Sequence, residues 1–593
     1  MCGIIGFVSA KEERSGELLV EGLRTLEYRG YDSAGVCVLE GGKLRVEKEA
    51  GMLDVFCRKV DASSMSSVRG IGHTRWATHG NVTRENAHPQ VSCDGRIAVV
   101  HNGIVENFQQ LRSRLAALGH AFSSQTDTEA IAHLVEEHSK GGLPLKEAVL
   151  ATVRELDGSF ALLVMSDSSS EIIAVKKDSP LVLGIAPNMI LAASDPLPLV
   201  KHTNKMVYLD DGELAVLSAS GFSCFNFAGL PVAKQVSLID WAAESSQKGV
   251  YEHFMLKEIM EQPAALRNAL SQDLAEVQSF ADEMAAAHGV MFVANGTAFH
   301  AAMAGQYLFD KIAGKHVNIV NASEFKYLRS SLSPGAVVIA VSQSGETADV
   351  LSALKEAKAK GARIFSIVNV VGSSIARMSE RVLYLRVGPE IAVASTKAFT
   401  GQIAIITLLA FALAGKLPEG MRLLRSACAL VAKSIELNEG KAKSFAHELA
   451  SVSDIYFVGR GANYPVALEG ALKLKEISYA HAEGMPAGEL KHGTLALVDA
   501  GTPVILVNPG DSIAAETLSS AMETKARGAR VIAVSDVANE IYYGRFEIPE
   551  CDNEALYPLL CIIPLQLFAY YSALERGKNP DRPRNLAKSV TVK

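Results

Sequence analysis

Cys2 directly follows the initiator methionine. A small second residue allows Met1 to be removed, which would leave a thiol and a free α-amine on one residue. Such an amine has a pKa of about 7.7–8.0, so part of it is neutral near pH 7. A nucleophile and its base on one residue is the arrangement of N-terminal-nucleophile catalysis. The plainer reading of Cys2 is a small buried residue opening a strand. The run His73-Thr74-Arg75-Trp76-Ala77-Thr78-His79-Gly80 favours chemistry, because neither a strand nor a helix core needs so many polar and aromatic groups together. Asn86-Ala87-His88-Pro89 and His101-Asn102-Gly103 follow it. An Asn-Gly at a strand end is often only a turn. Here it also offers a side-chain amide and a backbone N–H, the donors an oxyanion hole requires.

A second set of residues points to an anion. The apolar run Val337–Val341 leads into Ser342-Gln343-Ser344-Gly345-Glu346-Thr347 and then a helical pattern. A strand, a hydroxyl-rich turn and a helix N-terminus together favour phosphate; the bland reading is a Ser/Gly turn capping a helix. Val393-Ala394-Ser395-Thr396-Lys397 also precedes a helix. Glu469, Lys473 and Glu476 fall on one helical stripe, although such pairs are usually solvated and worth little. His492 lies between Gly488 and Gly493, where a loop could present it. The end, Asp581 to Lys593, reads as a polar, basic segment that frays, and nothing physical singles out Lys588.

These residues sit in two textures. The first 240 or so residues hold short apolar runs such as Ile97–Val100, Phe160–Val164 and Ile172–Val175, bounded by turn residues, with helices over Asn107–Leu118 and Thr128–Glu137. This predicts an α+β domain. After the polar break Ser245–Gly249, long helical patterns alternate with Val/Ile runs, as in parallel α/β units. That half repeats. Phe292–Phe299, Val338–Val341 and Lys358–Arg363 return as Phe457–Tyr464, Val504–Val507 and Lys525–Arg530, each about 166 residues later. Two copies of one α/β domain are expected. In the second copy the anion loop reads Asn508-Pro509-Gly510-Asp511-Ser512. Proline removes a donor there and Asp511 repels anions, so one phosphate site is expected, in the first copy.

Composition bounds the rest. The 593 residues are 48% apolar and 21% charged, which excludes a disordered or fibrous chain. A net charge of −7 argues against nonspecific nucleic-acid binding. Leu556–Leu574, the best candidate for a membrane span, is interrupted by Pro558, Pro564 and Gln566, and Ile403–Ala414 is too short. No signal peptide is seen. Eight scattered cysteines without a CxxC pair suit a reducing compartment, so neither a disulfide scaffold nor a zinc finger is expected. No Walker motif and no complete GxGxxG is present.

Met1–Gly6, Tyr28-Arg29-Gly30-Tyr31-Asp32-Ser33-Ala34-Gly35 and His73–Gly80 resemble the glutaminase domain of class II glutamine amidotransferases, and the likeness spans the N-terminal domain. It implies an N-terminal-nucleophile fold of stacked antiparallel sheets with flanking helices. It further implies that Cys2 attacks the side-chain amide of glutamine and frees ammonia through a thioester, with Asn102 and the Gly103 N–H on the oxyanion. Arg75 would pair with the substrate α-carboxylate and Asp127 with its α-ammonium. Trp76, Thr78 and His79 would line the glutamine pocket; His79, His88 and His101 are given no chemistry.

Ser342–Thr347, Ala394–Lys397, Leu472–Glu476, Gly488–Gly493 and the ending Arg584–Val592 resemble the sugar-isomerase (SIS) module of the glutamine–fructose-6-phosphate aminotransferases, the glucosamine-6-phosphate synthase family. By that resemblance Lys588 forms a Schiff base with C2 of fructose 6-phosphate and Glu476 moves a proton from C1 to C2. Lys473 stabilises the developing charge. His492 assists ring opening and comes from the partner subunit, which implies a homodimer. The phosphate lies on Ser342, Gln343, Ser344 and Thr347, with Thr297, Val393 and Ser395 near the sugar. Trp76 gates an internal passage for ammonia. The resemblance implies a cytoplasmic enzyme with no cofactor and no metal. Expected domains are 1–240, a linker with leading helices over 241–284, SIS domains over 285–425 and 440–580, and a catalytic tail over 581–593. The chain departs from the family where Ala298 replaces a common serine, Thr494 a common proline and Gln90 a frequent histidine. The alternatives are a class II amidotransferase acting on another sugar phosphate, and a non-catalytic sugar-phosphate sensor. A sensor has no use for Cys2, Asn102, Asp127 or Lys588.

Overall fold

The computed structural model describes residues 2–77, 79–239 and 248–590. The chain divides into two compact units, Met1–Ser246 with Ser589–Lys593, and Gln247–Lys588. The boundary expected at residue 240 lies outside the described residues.

The first unit is built on an eight-stranded and a seven-stranded sheet. Their alternation decides what packs where. Along the strand Gly3–Glu13, Ile4 and Val8 belong to the core that also holds Ala98, Val100, Leu163 and Met165 of the seven-stranded sheet. Ile5 and Phe7 point the other way, to Leu19 and Leu23 of the helix Ser15–Leu26. Both faces of this strand are therefore apolar and buried, as an inner strand of a layered fold requires. On the far side of the seven-stranded sheet, Val99, Leu162 and Val164 pack against Ile131 and Val135 of the helix Asp127–Ser139 and Val149 of Leu145–Glu155. The result is two stacked antiparallel sheets with helices on both outer faces.

Two registers set the site. Gly3 pairs with Thr74 and Ile4 with His73, so Cys2 arrives beside Arg75 and Trp76. Asn102 and Gly103, in the strand Ile97–Val105, pair with Ala161 and Phe160. Gly103 has a φ of +123°, and a Cβ there would lie 2.0 Å from the Ser159 carbonyl oxygen, so only glycine fits.

The second unit holds two five-stranded parallel sheets of one order. In the first, Val290–Ala294 lies between Asn318–Asn321 and Val337–Ser342, followed by Arg363–Val368 and Arg381–Tyr384. In the second, Asp454–Gly459 lies between His481–Pro486 and Pro503–Val507, followed by Arg530–Ser535 and Gly544–Glu547. Both run 2-1-3-4-5, so the sequence repeat is a structural one. One continuous core joins the copies through the buried helices Lys397–Leu413 and Tyr557–Glu575.

The second of these helices corrects the sequence reading. The segment Glu554–Glu575 is long and apolar enough to cross a bilayer, with 22 residues and a mean hydropathy of 1.4, yet its apolar stretch is buried in protein. Pro564 does not interrupt it. An interior proline costs about 3 kcal/mol, which several fully buried apolar side chains, each worth about 1.5–3 kcal/mol, readily offset.

Candidate active sites

The Cys2 thiol is held at the end of its strand: Trp76 N–H donates to Sγ at 3.2 Å. Asn102 Nδ2 donates to the Cys2 carbonyl at 2.8 Å. The amide faces this way because His73 Nε2 lies 2.9 Å from the His101 carbonyl and 3.1 Å from Asn102 Oδ1. Two acceptors require that Nε2 carry the proton, which fixes both the tautomer and the amide. Burial lowers the His73 pKa to about 3, so the ring stays neutral. Burial also pushes the Cys2 thiol up, against the pull of the terminal ammonium, the Trp76 N–H and Arg75. A thiol so placed needs a base before it attacks.

Arg75 is oriented by the loop that follows it, donating to the carbonyls of His79, Gly80 and Asn81. Asp32 Oδ2 accepts from Ala77 N–H at 2.9 Å, and the Tyr31 ring meets Trp76 edge-on. Asp127, first residue of its helix, accepts from Val105 N–H at 3.0 Å. His88 and His101 both reach Thr128 Oγ1, at 2.6 and 2.9 Å, and burial lowers the pKa of each. A thiol, two amide-type donors, a guanidinium and a carboxylate therefore converge, a set that can hold a zwitterionic amino acid beside a nucleophile.

In the second unit the strand Val337–Ser342 ends in the hydroxyl loop. Ser342 Oγ accepts from Gly345 N–H at 3.1 Å and lies 3.2 Å from Thr347 Oγ1; Ser344 Oγ accepts from Glu346 N–H. Gly345 has a φ of +66°, and a Cβ there would strike Ser373 Oγ at 2.0 Å. Thr347 stands at the N-cap position of the helix Ala348–Ala359 without a side-chain capping bond, and the helix N-terminus gives the loop positive character.

Two buried ionic clusters accompany it. Lys588 Nζ donates to Glu390 Oε2 at 2.5 Å and Ser395 Oγ at 3.0 Å. Glu390 Oε1 accepts from Thr396 and Ala398 N–H, at 2.9 and 3.0 Å. Although burial works to raise it, the Lys588 ammonium and these N–H groups hold the Glu390 pKa below its usual value. Lys473 Nζ sits 2.5 Å from Glu476 Oε2, 3.4 Å from Glu469 Oε1 and 3.1 Å from Thr297 Oγ1. Against burial, Glu476 and Glu469 raise the Lys473 pKa, with a smaller contribution from Glu390 that links the two clusters. Two ammonium groups and three carboxylates, largely out of water, are costly unless they work together.

Known proteins share these features. Residues 283–412 and 448–576 match the SIS domain model, and 73–201 match the glutamine amidotransferase domain model. A glutamine–fructose-6-phosphate aminotransferase (isomerizing) of Thermococcus kodakarensis is 45% identical, with 100% of both chains covered. That of Aquifex aeolicus is 43% identical, again over 100% of both. The solved C-terminal domain of glucosamine-fructose-6-phosphate aminotransferase from Francisella tularensis matches at 36% identity and a TM-score of 0.53, covering 57% of this chain and 100% of that one. The chain belongs to the glutamine–fructose-6-phosphate aminotransferases.

The other residues singled out from the family pattern are placed as follows. Thr78 lies outside the described residues. The His79 ring stands edge-on to Phe108, and its carbonyl serves Arg75. Val393 N–H donates to the Asp581 carbonyl at 3.3 Å. His492 ends the short 3-10 segment Ala487–His492 and is exposed. Gln90 ties its own loop together, donating to the Glu85 and Ala87 carbonyls. Ala298 is buried in the first turns of the helix Gly296–Ala313. The start of the tail, which its composition suggests would fray, is tied down. Asp581 accepts from Phe254 and Met255 N–H, and Arg584 N–H donates to Tyr479 Oη. The sequence alone assigns no role to His73 behind Asn102, to Glu390 behind Lys588 or to His300, which pairs with Glu469 at 2.8 Å beside Lys473. The only signal for Glu390 is a lone acid within the apolar run Val387–Ala394.

Proposed function

We propose that this enzyme converts L-glutamine and D-fructose 6-phosphate into L-glutamate and D-glucosamine 6-phosphate, with the residue roles that follow. The observation that carries this reading is one chain holding both a seated N-terminal thiol and a buried lysine paired with a carboxylate. Cys2 Sγ attacks the side-chain carbonyl carbon of glutamine while the α-amine takes the thiol proton. The oxyanion falls to Asn102 Nδ2 and the Gly103 N–H. Ammonia leaves, and water cleaves the thioester to glutamate. Arg75 and Asp127 hold the two ends of the amino acid, with Trp76, Thr78 and His79 around it.

Ser342, Gln343, Ser344 and Thr347 receive the sugar phosphate, and Thr297, Val393 and Ser395 lie along the sugar. Lys588 must lose a proton before it attacks C2, and Glu390 is placed to accept it. Ammonia then replaces the lysine at C2. Glu476 carries the proton from C1 to C2, and Lys473, 2.5 Å from it, offsets charge developing on the enamine. His492, exposed on its own chain, serves ring opening in a second copy; the working form is a cytoplasmic homodimer. The domain limits stated above accompany this reading. Replacing Lys588 with alanine should lower hexosamine phosphate synthesis about 10³-fold or more and leave glutamine hydrolysis within a few-fold. Unchanged synthesis would remove the Schiff-base role.

A further inference from the structure

In the first unit, four side chains unused by the proposed chemistry converge. Cys93 is in the exposed hairpin turn before the strand Ile97–Val105. His120 follows the helix Phe108–Ala117, presented by Gly119 at φ +95°. His133 and Glu136 are three apart on the helix Asp127–Ser139. Their ligating atoms all lie within 4.8 Å of one another. Cys93 Sγ is 3.5 Å from both His120 Nδ1 and His133 Nδ1. Glu136 Oε2 is 3.3 Å from His120 Nδ1 and 3.4 Å from His133 Nδ1.

Those four separations match four of the six edges of a coordination tetrahedron. Zinc bonds of about 2.0–2.1 Å to nitrogen and oxygen and about 2.3 Å to sulfur place N and O about 3.3 Å apart and S and N about 3.5 Å apart. The surroundings agree. His120 Nε2 lies 2.9 Å from Glu137 Oε2, itself paired with Lys140. His133 Nε2 faces Glu129 Oε1 at 3.6 Å and has no hydrogen-bond partner. Glu137 behind His120 keeps the proton on Nε2 and turns the Nδ1 lone pair inward, the usual support of a metal-bound histidine, and Glu129 stands behind His133 at the longer distance. Ala121 N–H donates to Cys93 Sγ at 3.4 Å. Without a cation, Cys93 N–H serves Glu136 Oε2 at 2.9 Å and Ala121 N–H serves the sulfur, which leaves the thiol proton between two imidazole nitrogens. A thiolate and a carboxylate would neutralise a divalent ion.

We infer that Cys93, His120, His133 and Glu136 bind one Zn²⁺ ion. With four protein ligands the site is closed, so its role is structural. It clamps the turn leading into the Asn102–Gly103 strand to the helix that begins at Asp127. The absence of a CxxC pair, the ground for expecting no zinc finger, does not bear on a ligand set drawn from three separate elements.

The test is metal content and Co²⁺ spectroscopy on the full chain purified from zinc-supplemented cells without chelator. About one zinc per chain is expected, falling below about 0.1 in Cys93→Ser/His120→Asn. Metal-free protein loaded with Co²⁺ should show the intense visible bands of a tetrahedral site and a thiolate-to-cobalt charge-transfer band, the latter lost in Cys93→Ser. Circular dichroism and the cooperative thermal unfolding of the first unit report whether each variant is folded. Wild-type protein without zinc and without those cobalt bands overturns the site, as does a folded double variant that retains zinc.

Discussion

The two α/β copies share a strand order but treat the same loop in opposite ways. In the first copy, the loop after Val337–Ser342 turns its own hydroxyls onto its own N–H groups, with Gly345 N–H on Ser342 and Glu346 N–H on Ser344. In the second, carboxylates occupy those positions. Gly510 N–H donates to Asp536 Oδ1 at 2.7 Å, Ser512 N–H to Glu554 Oε1 at 3.0 Å, and Ile513 N–H to Asp511 Oδ1 at 3.2 Å. Burial raises the Asp511 pKa, so that copy tolerates acid even at a cost. A hydroxyl can be displaced by a phosphate; a carboxylate in place already supplies the negative charge. One fold thus yields one loop whose N–H groups meet neutral hydroxyls and one whose N–H groups meet carboxylates.

The largest way to break this comparison is to give the first loop the character of the second. Ser344→Asp keeps an acceptor for the Glu346 N–H but adds charge where phosphate must sit. Hexosamine synthesis should fall about 100-fold or more, mostly in KM for fructose 6-phosphate, with glutamine hydrolysis unchanged. Steady-state kinetics of both half-reactions decide it, and an unaltered KM would place the phosphate elsewhere. A milder change, Thr347→Ala, should raise that KM about 10-fold, whereas Ser512→Ala in the second loop should leave it within about two-fold. Equal effects would erase the distinction between the copies.

The smallest effect is on pH dependence. Glu258, buried beside the first copy's ionic cluster, has its pKa raised to about 8 by burial and by Glu390. Unfolded, a glutamate titrates near 4.3. Between those values the folded chain binds the extra proton, so stability falls as pH rises through that window and levels off above about 8. Glu258→Gln cannot titrate. Its melting temperature should decline less between pH 6 and 8 than that of the wild type, and matching slopes would show that Glu258 does not titrate as described.

How much of this could be read from residues alone depended on how local each signal was. The repeat was legible because strands and helices recur in order, and both parallel sheets follow it. The Cys2, Asn102 and Ser342–Thr347 elements were legible because each is a short run with unusual chemistry. The supporting groups were not. Glu390 and Lys588 are 198 residues apart and meet only through the folded tail. His73 resembles any other polar residue in its run until strand pairing sets it behind Asn102. Helix Tyr557–Glu575 was misjudged because local proline rules carry no information about a core that encloses the helix on every side. The cluster around Cys93 draws single residues from a turn, a helix end and a helix face, a pattern that no contiguous motif can report.

The central claim is that nitrogen freed at Cys2 ends on C2 of the sugar bound by Lys588. It is tested by supplying glutamine labelled with ¹⁵N in the side-chain amide together with fructose 6-phosphate and measuring the product by mass spectrometry. The wild-type enzyme should place one ¹⁵N in each glucosamine 6-phosphate, and neither Cys2→Ala nor Lys588→Ala should place any. An unlabelled product from the wild type, or a labelled one from Cys2→Ala, would contradict the account.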